Sequence, residues 1–144
     1  DYEEGTYTPA LTAQFGGTAT LHSGISTLNY VKIGKTVTIS GRINITGFSG
    51  THGGLQISLP FHTSSGNGGQ ADYAHIMLNT HGMNLNDNTV QVFAEAGANV
   101  NTMMVMQMMD SSVHNNGNWL SFNTNQLNNN SNEYIGFVGS YKSA

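Results

Sequence analysis

The 144 residues suffice for one domain with a real core, yet only 8% of them are charged, against about 25% in an average soluble protein. The net charge is −4 and the basic residues are four, Lys32, Lys35, Arg42 and Lys142, too few and too scattered for a nucleic-acid or anionic-membrane partner. Cysteine is absent, which excludes thiol catalysis and thiolate metal sites, and no apolar run reaches the ~20 residues that insert across a bilayer.

In chain order, the acidic opening Asp1-Tyr2-Glu3-Glu4 lacks a signal-peptide core and reads as cut from a longer polypeptide. Tyr7 to Gln14 is the first strand expected. Tyr30 to Ile33 follows, joined by a tight Gly34-Lys35 turn to the clearest alternation in the chain, Thr36 to Thr46. There Val37, Ile39, Gly41, Ile43 and Ile45 point one way, and Thr36, Thr38, Ser40, Arg42 and Asn44 the other. Leu55, Ile57 and Leu59 repeat the pattern up to Pro60, which suits a strand end. Further strands are predicted at 71–79, 90–96, 103–109, 119–124 and 134–141. Polar loops fall at 47–54, 63–70, 81–88, 110–118 and 125–132. No segment shows a sustained helical period. The expectation is one all-β domain over 1–144, an antiparallel β-sandwich of jelly-roll type with about eight or nine strands.

Three segments resemble a known family. Tyr2-Glu3-Glu4-Gly5-Thr6-Tyr7-Thr8-Pro9-Ala10-Leu11 is similar to the "YEEGTWTPTL" opening of C-terminal domains in phage tail fibres and tail spikes. Tyr30-Val31-Lys32-Ile33-Gly34-Lys35-Thr36-Val37-Thr38-Ile39-Ser40-Gly41 resembles their "Y-T-K-I-G-N-x-V-x-x-x-G", and Ile57-Ser58-Leu59-Pro60-Phe61 their "I-x-L-P-F". The matches occur in family order over the first 60 or so residues. Tyr7 stands where the family has Trp, and Lys35 where it has Asn. The resemblance implies a small β domain at the distal end of a trimeric viral fibre, in the virion and made in the host bacterial cytoplasm. It implies host attachment, or capping and trimerising of the fibre. From about residue 62 onward nothing matches, so specificity is not carried over.

The chemistry-bearing residues point away from catalysis. Asp72, Asp87, Glu95, Asp110 and Glu133 have no spacing that pairs two carboxylates across a glycosidic bond. No Gly-x-Ser-x-Gly elbow occurs, and Gly66-Asn67-Gly68-Gly69 lacks a phosphate-binding Lys. His22, His52, His62, His75, His81 and His114 show no His-x-His spacing, so neither a metal nor a cofactor is expected.

Aromatic residues beside amides are the better signal, because a sugar's C–H face packs on a flat ring while amides and carboxylates bond its hydroxyls. Trp119, the one tryptophan, follows His114, Asn116 and Asn118. It reads first as a core anchor and second as a sugar platform. Tyr73 beside Asp72, and Tyr134 beside Glu133, read the same way. The methionine run puts Met104, Met106 and Met108 on one strand face. That face is read as an interface between subunits, then as core, and last as a ligand contact.

The sequence therefore points to a non-enzymatic receptor-binding tip domain, homotrimeric, whose partner is host cell-surface polysaccharide. A capping or trimerisation module without a ligand is the alternative. A polysaccharide depolymerase is a distant third.

Overall fold

The computed structural model describes residues 1–65, 73–110, 119–128 and 132–144. Its strands are β1 (Tyr2–Tyr7), β2 (Leu11–Ala13), β3 (Thr18–Leu21), β4 (Leu28–Ile33), β5 (Thr36–Ser49), β6 (Leu55–Ser58), β7 (Ala74–His81), β8 (Thr89–Ala96), β9 (Thr102–Met109), β10 (Trp119–Ser121) and β11 (Glu133–Lys142). A short 3-10 turn, Thr124–Gln126, follows β10.

The alternation in β5 is realised except at two positions: Gly41, expected inward, is exposed, and Asn44, expected outward, is buried where the segment from His22 to Ile25 bonds its backbone. Val37, Ile39, Ile43 and Ile45 are fully buried, while Thr36, Thr38, Ser40 and Arg42 are exposed. β4 pairs with it antiparallel through the Gly34-Lys35 loop. Gly34 holds φ 58° at the first central position of this two-residue hairpin, where a side chain would be strained. The strand expected over Tyr7 to Gln14 is broken in two. Pro9 lacks an N–H and separates β1 from β2. β3 is absent from the sequence reading because its residues alternate only between exposed and half-buried.

The sandwich or jelly roll is corrected to a closed barrel, although the all-β, antiparallel class holds. Following hydrogen-bonded neighbours gives β5–β11–β7–β8–β9–β6–β2–β3 and back to β5, a ring of eight strands. β5 makes closure possible because it is 14 residues long. One of its edges carries β11 over residues 36–45; the other carries β4 over 36–41 and then β3 over 45–49. β1 and β4 extend from that edge as a flap, and β10 adds to β9 beyond the end of β6.

An eight-stranded barrel is just wide enough for its own side chains to fill. Ile39, Ile43, Ile45, Leu55, Ile57, Ile76, Met103, Val105, Phe122 and Ile135 fill this one, each nearly or fully inaccessible to solvent. Between the stretches that pair with β4 and β3, the edge of β5 is bonded by the connecting chain: the His22 N–H donates to the Asn44 carbonyl at 3.0 Å and the Asn44 N–H to the Ile25 carbonyl at 2.8 Å.

The three segments that carry the family resemblance meet at one end of the molecule. The Tyr30 ring lies edge-on to Tyr7 at 6.5 Å and to Phe61 at 5.2 Å. The Tyr141 hydroxyl donates to the Phe61 carbonyl at 2.9 Å and accepts from the Phe61 N–H at 3.2 Å. Burial pushes the Tyr141 phenol up to about 12. Tyr7, also raised by burial, has a buried hydroxyl with no hydrogen-bond partner among the described residues.

Both phenols keep their protons in the folded state at pH values where an unfolded tyrosine, near ~10, has begun to ionise. Their contribution is therefore complete below pH ~10 and is lost as pH rises through the folded values, so alkaline unfolding is expected above that point. Tyr141→Phe is expected to lower stability by about 1–2 kcal/mol in urea titrations, because the Phe61 N–H loses its acceptor. Tyr7→Phe removes an unpaired polar group and is expected to be neutral or stabilising. Equal losses in the two variants would contradict this assignment.

Candidate functional site

With the barrel interior filled, the chemistry lies on the outside. Antiparallel register places directly opposed residues on the same face. One outward row therefore crosses six strands: Ser40 of β5, Val138 of β11, Met77 of β7, Phe93 of β8, Met106 of β9 and Ser121 of β10. A neighbouring row holds Arg42, Gly136 and Asn79, and the next Asn44, Tyr134 and His81. At the other end, Gln91, Met108 and Trp119 are opposed.

Trp119 is 49% exposed and does not anchor the core. Its ring stands edge-on to Phe93 at 5.3 Å and to His75 at 6.0 Å. Phe93 is 6% exposed although its side chain faces outward and lies outside the main core cluster. Trp119 and His75 shield it. Together with Met77, Gln91 and Met108 these rings line a cleft of about 300 Å³. Nδ1 of His75 lies 3.8 Å from a Glu95 carboxylate oxygen.

The opposite end of the same face is polar. Arg42, Asn79, His81, Tyr134 and Gly136 line a hollow of about 450 Å³. The Arg42 guanidinium lies over the Tyr134 ring, 4.8 Å from its centroid. His81 packs edge-on to the same ring at 6.0 Å and directs Nδ1 to the Asn132 carbonyl at 3.3 Å. A carbonyl only accepts, so Nδ1 carries the proton and Nε2 is the nitrogen left for other partners.

These two ends are continuous. A middle hollow of about 610 Å³ shares Met77 and Gln91 with the Trp119 cleft, and Asn79 and Gly136 with the Arg42 hollow. The resulting trough crosses from β9 to β5, four strand spacings, or about 19 Å at ~4.8 Å each.

One rim of the middle hollow is pinned from below. Gln107 is completely buried; its Oε1 accepts from the Asn86 N–H at 2.9 Å and from the Thr89 hydroxyl at 3.2 Å. Its Nε2 donates to Gln126 Oε1 at 3.2 Å, and Gln126 Oε1 also accepts from the Asn123 N–H at 2.8 Å, closing a capping box. The Asn-rich stretch is thus partly a capped turn bonded to β9.

Of the residues singled out in the sequence, Trp119 and Met108 line the cleft together. Tyr73 is exposed just before β7, outside that lining, and Tyr134 sits at the far end over Arg42. Glu133, beside Tyr134, is fully buried and accepts from the Asn128 N–H. Met104, Met106 and Met108 are half-buried on the outer face, while Met103, Val105 and Met109 point inward and are buried. Asp72, His114, Asn116 and Asn118 lie outside the described residues. The sequence marked His75 only as a candidate metal ligand, missed Gln91 and Phe93, and passed over Arg42, the only arginine and an outward position in the middle of β5. An arginine on a strand face otherwise populated by uncharged Thr, Ser and Asn was the available signal. Among the described residues no three His, Asp or Glu side chains gather as a metal set.

The fold is an all-antiparallel closed barrel with a two-stranded flap. It is shared with the crystal structure of the Dettilon tailspike protein at a TM-score of 0.68 and 21% identity, covering 96% of this chain. The chain spans 24% of that protein's length. No family model and no curated protein sequence matches it.

Gln107→Leu is expected to cost about 1–3 kcal/mol in denaturant titrations, because the Asn86 N–H is left without its acceptor. An unchanged midpoint would show that the network holds the rim without contributing to stability.

Proposed function

We propose that this chain is a non-enzymatic, glycan-binding module of a bacteriophage tail spike or fibre, attaching the virion to host cell-surface polysaccharide as a homotrimer. The observation that carries this reading is the continuous trough, with an exposed tryptophan over a cleft at one end and amide and guanidinium donors beside an imidazole acceptor at the other. Sugars take both kinds of contact: apolar C–H faces against Trp119 and hydroxyls against Asn79, Gln91 and His81. The likeness in fold to a tailspike domain and the three tail-fibre-like motifs support the placement on a phage tail. Three copies on one axis would turn weak single-site binding into firm attachment.

A second reading has its own observation. Met77, Val90 and Val138 are 55%, 62% and 64% exposed on or beside the same face, beside the half-buried Met104, Met106 and Met108. Exposed apolar patches of this kind mark interfaces. In this reading the face is covered by a sister copy, and the module caps or trimerises the fibre without a ligand.

Trp119→Ala is expected to weaken binding to a bacterial-surface glycan by about 30-fold, or ~2 kcal/mol, measured by calorimetry on the best glycan from an array. Its melting temperature should change little, since the side chain is half in solvent. Loss of trimer mass in Met77→Asp and Val138→Asp, seen by sedimentation and with no glycan bound by the parent, would favour the capping module instead. Reducing ends released from host capsule would replace both readings with a depolymerase.

A further inference from the structure

We propose that the Arg42 end of the trough is an anionic subsite that takes the carboxylate of an acidic sugar, so that the polysaccharide recognised is uronate-bearing; this rests on the glycan-binding reading above. Arg42 is the only arginine in a chain with four basic residues and a net charge of −4. The ion pairs among the described residues are Lys32 with Asp1 and His75 with Glu95, so the guanidinium has no carboxylate partner there. It is nevertheless held in place. It lies over the Tyr134 ring, which is in turn flanked by His81. Stacking of this kind leaves the guanidinium edge, with its forked N–H donors, open to a planar oxyanion.

The floor beneath it is built for an approaching ligand. Gly136 stands at the outward position between Arg42 and Asn79, where any side chain would project into the hollow. Backbone geometry does not require the glycine. Its φ lies outside the left-handed range, and a Cβ there would meet Asn79 at an ordinary 3.7 Å. The missing side chain is therefore explained by the space it leaves. Around that space are the Asn79 amide and the His81 ring. The neighbouring carboxylate, Glu133, points to the buried side of β11. Among the described residues, a carboxylate on the ligand thus meets the forked donors of Arg42 and the Asn79 amide without facing a protein acid, while Nε2 of the His81 ring accepts from a neighbouring hydroxyl. A neutral sugar would bond the amide and imidazole equally well but would leave the cation unpaired.

The test is a printed array of bacterial capsule and lipopolysaccharide oligosaccharides, each acidic member present both in native form and carboxyl-reduced. It is probed with the parent chain, Arg42→Gln, Gly136→Val and Trp119→Ala. The expected result is parent binding at least tenfold stronger to native uronate members than to their reduced counterparts. Arg42→Gln should erase that preference while keeping the residual neutral binding, and added salt should shrink it. Gly136→Val should weaken the acidic members with an unchanged melting curve, and Trp119→Ala should weaken both forms alike. Equal parent binding to native and reduced forms overturns the subsite and leaves the glycan-binding reading standing. A preference that survives Arg42→Gln overturns it as well, by placing the anion elsewhere. Binding to no glycan in either form overturns the glycan-binding reading, and the subsite with it.

Discussion

The structure depends on the pairing that closes the ring between β3 and the far end of β5. A sheet with free edges leaves a row of unpaired N–H and C=O groups, and these invite other chains to add on. Closure satisfies those groups around the ring and confines the open edges to the short outer strands β1 and β10. It costs little in sequence: one 14-residue strand long enough to carry β4 on its first half and β3 on its second. A chain with 8% charged residues has little electrostatic repulsion to keep copies apart, so shortening the open edge matters more here than in an average protein.

Closure also decides where function can sit. Eight strands enclose a narrow interior, and here Ile, Leu, Phe and Met side chains occupy it. The outward half of each strand is then free to vary without loss of core. Opposed outward residues are carried across six strands in register, so residues far apart in the chain become neighbours. Arg42 and Tyr134 are 92 positions apart and in van der Waals reach, and Phe93 and Trp119 meet across β9. The trough is a by-product of that geometry, deepened wherever a strand presents a small residue such as Gly136.

Parts of this were legible in the residues. The inward set of β5, the Gly34-Lys35 hairpin, the Leu55-Ile57-Leu59 alternation and the β9 methionines each follow from period two and turn chemistry. Trp119 was legible as a residue of interest but not in its setting. A lone tryptophan at a strand start is equally consistent with core and surface, and only the opposed Met108 and the ring of Phe93 place it outside.

What the sequence by itself determined is local: which residues face in, which face out, where the chain turns, and that no thiol is available to it. What the tertiary structure alone decided is closure into a barrel rather than two packed sheets, and the meeting of Arg42, Asn79, His81 and Tyr134 around Gly136. The reason is physical. Side-chain alternation is identical in a sandwich and a barrel, because it reports only that one face is dry. Strand order and register are set by the sum of many backbone pairings between distant segments, and no single segment contains that sum.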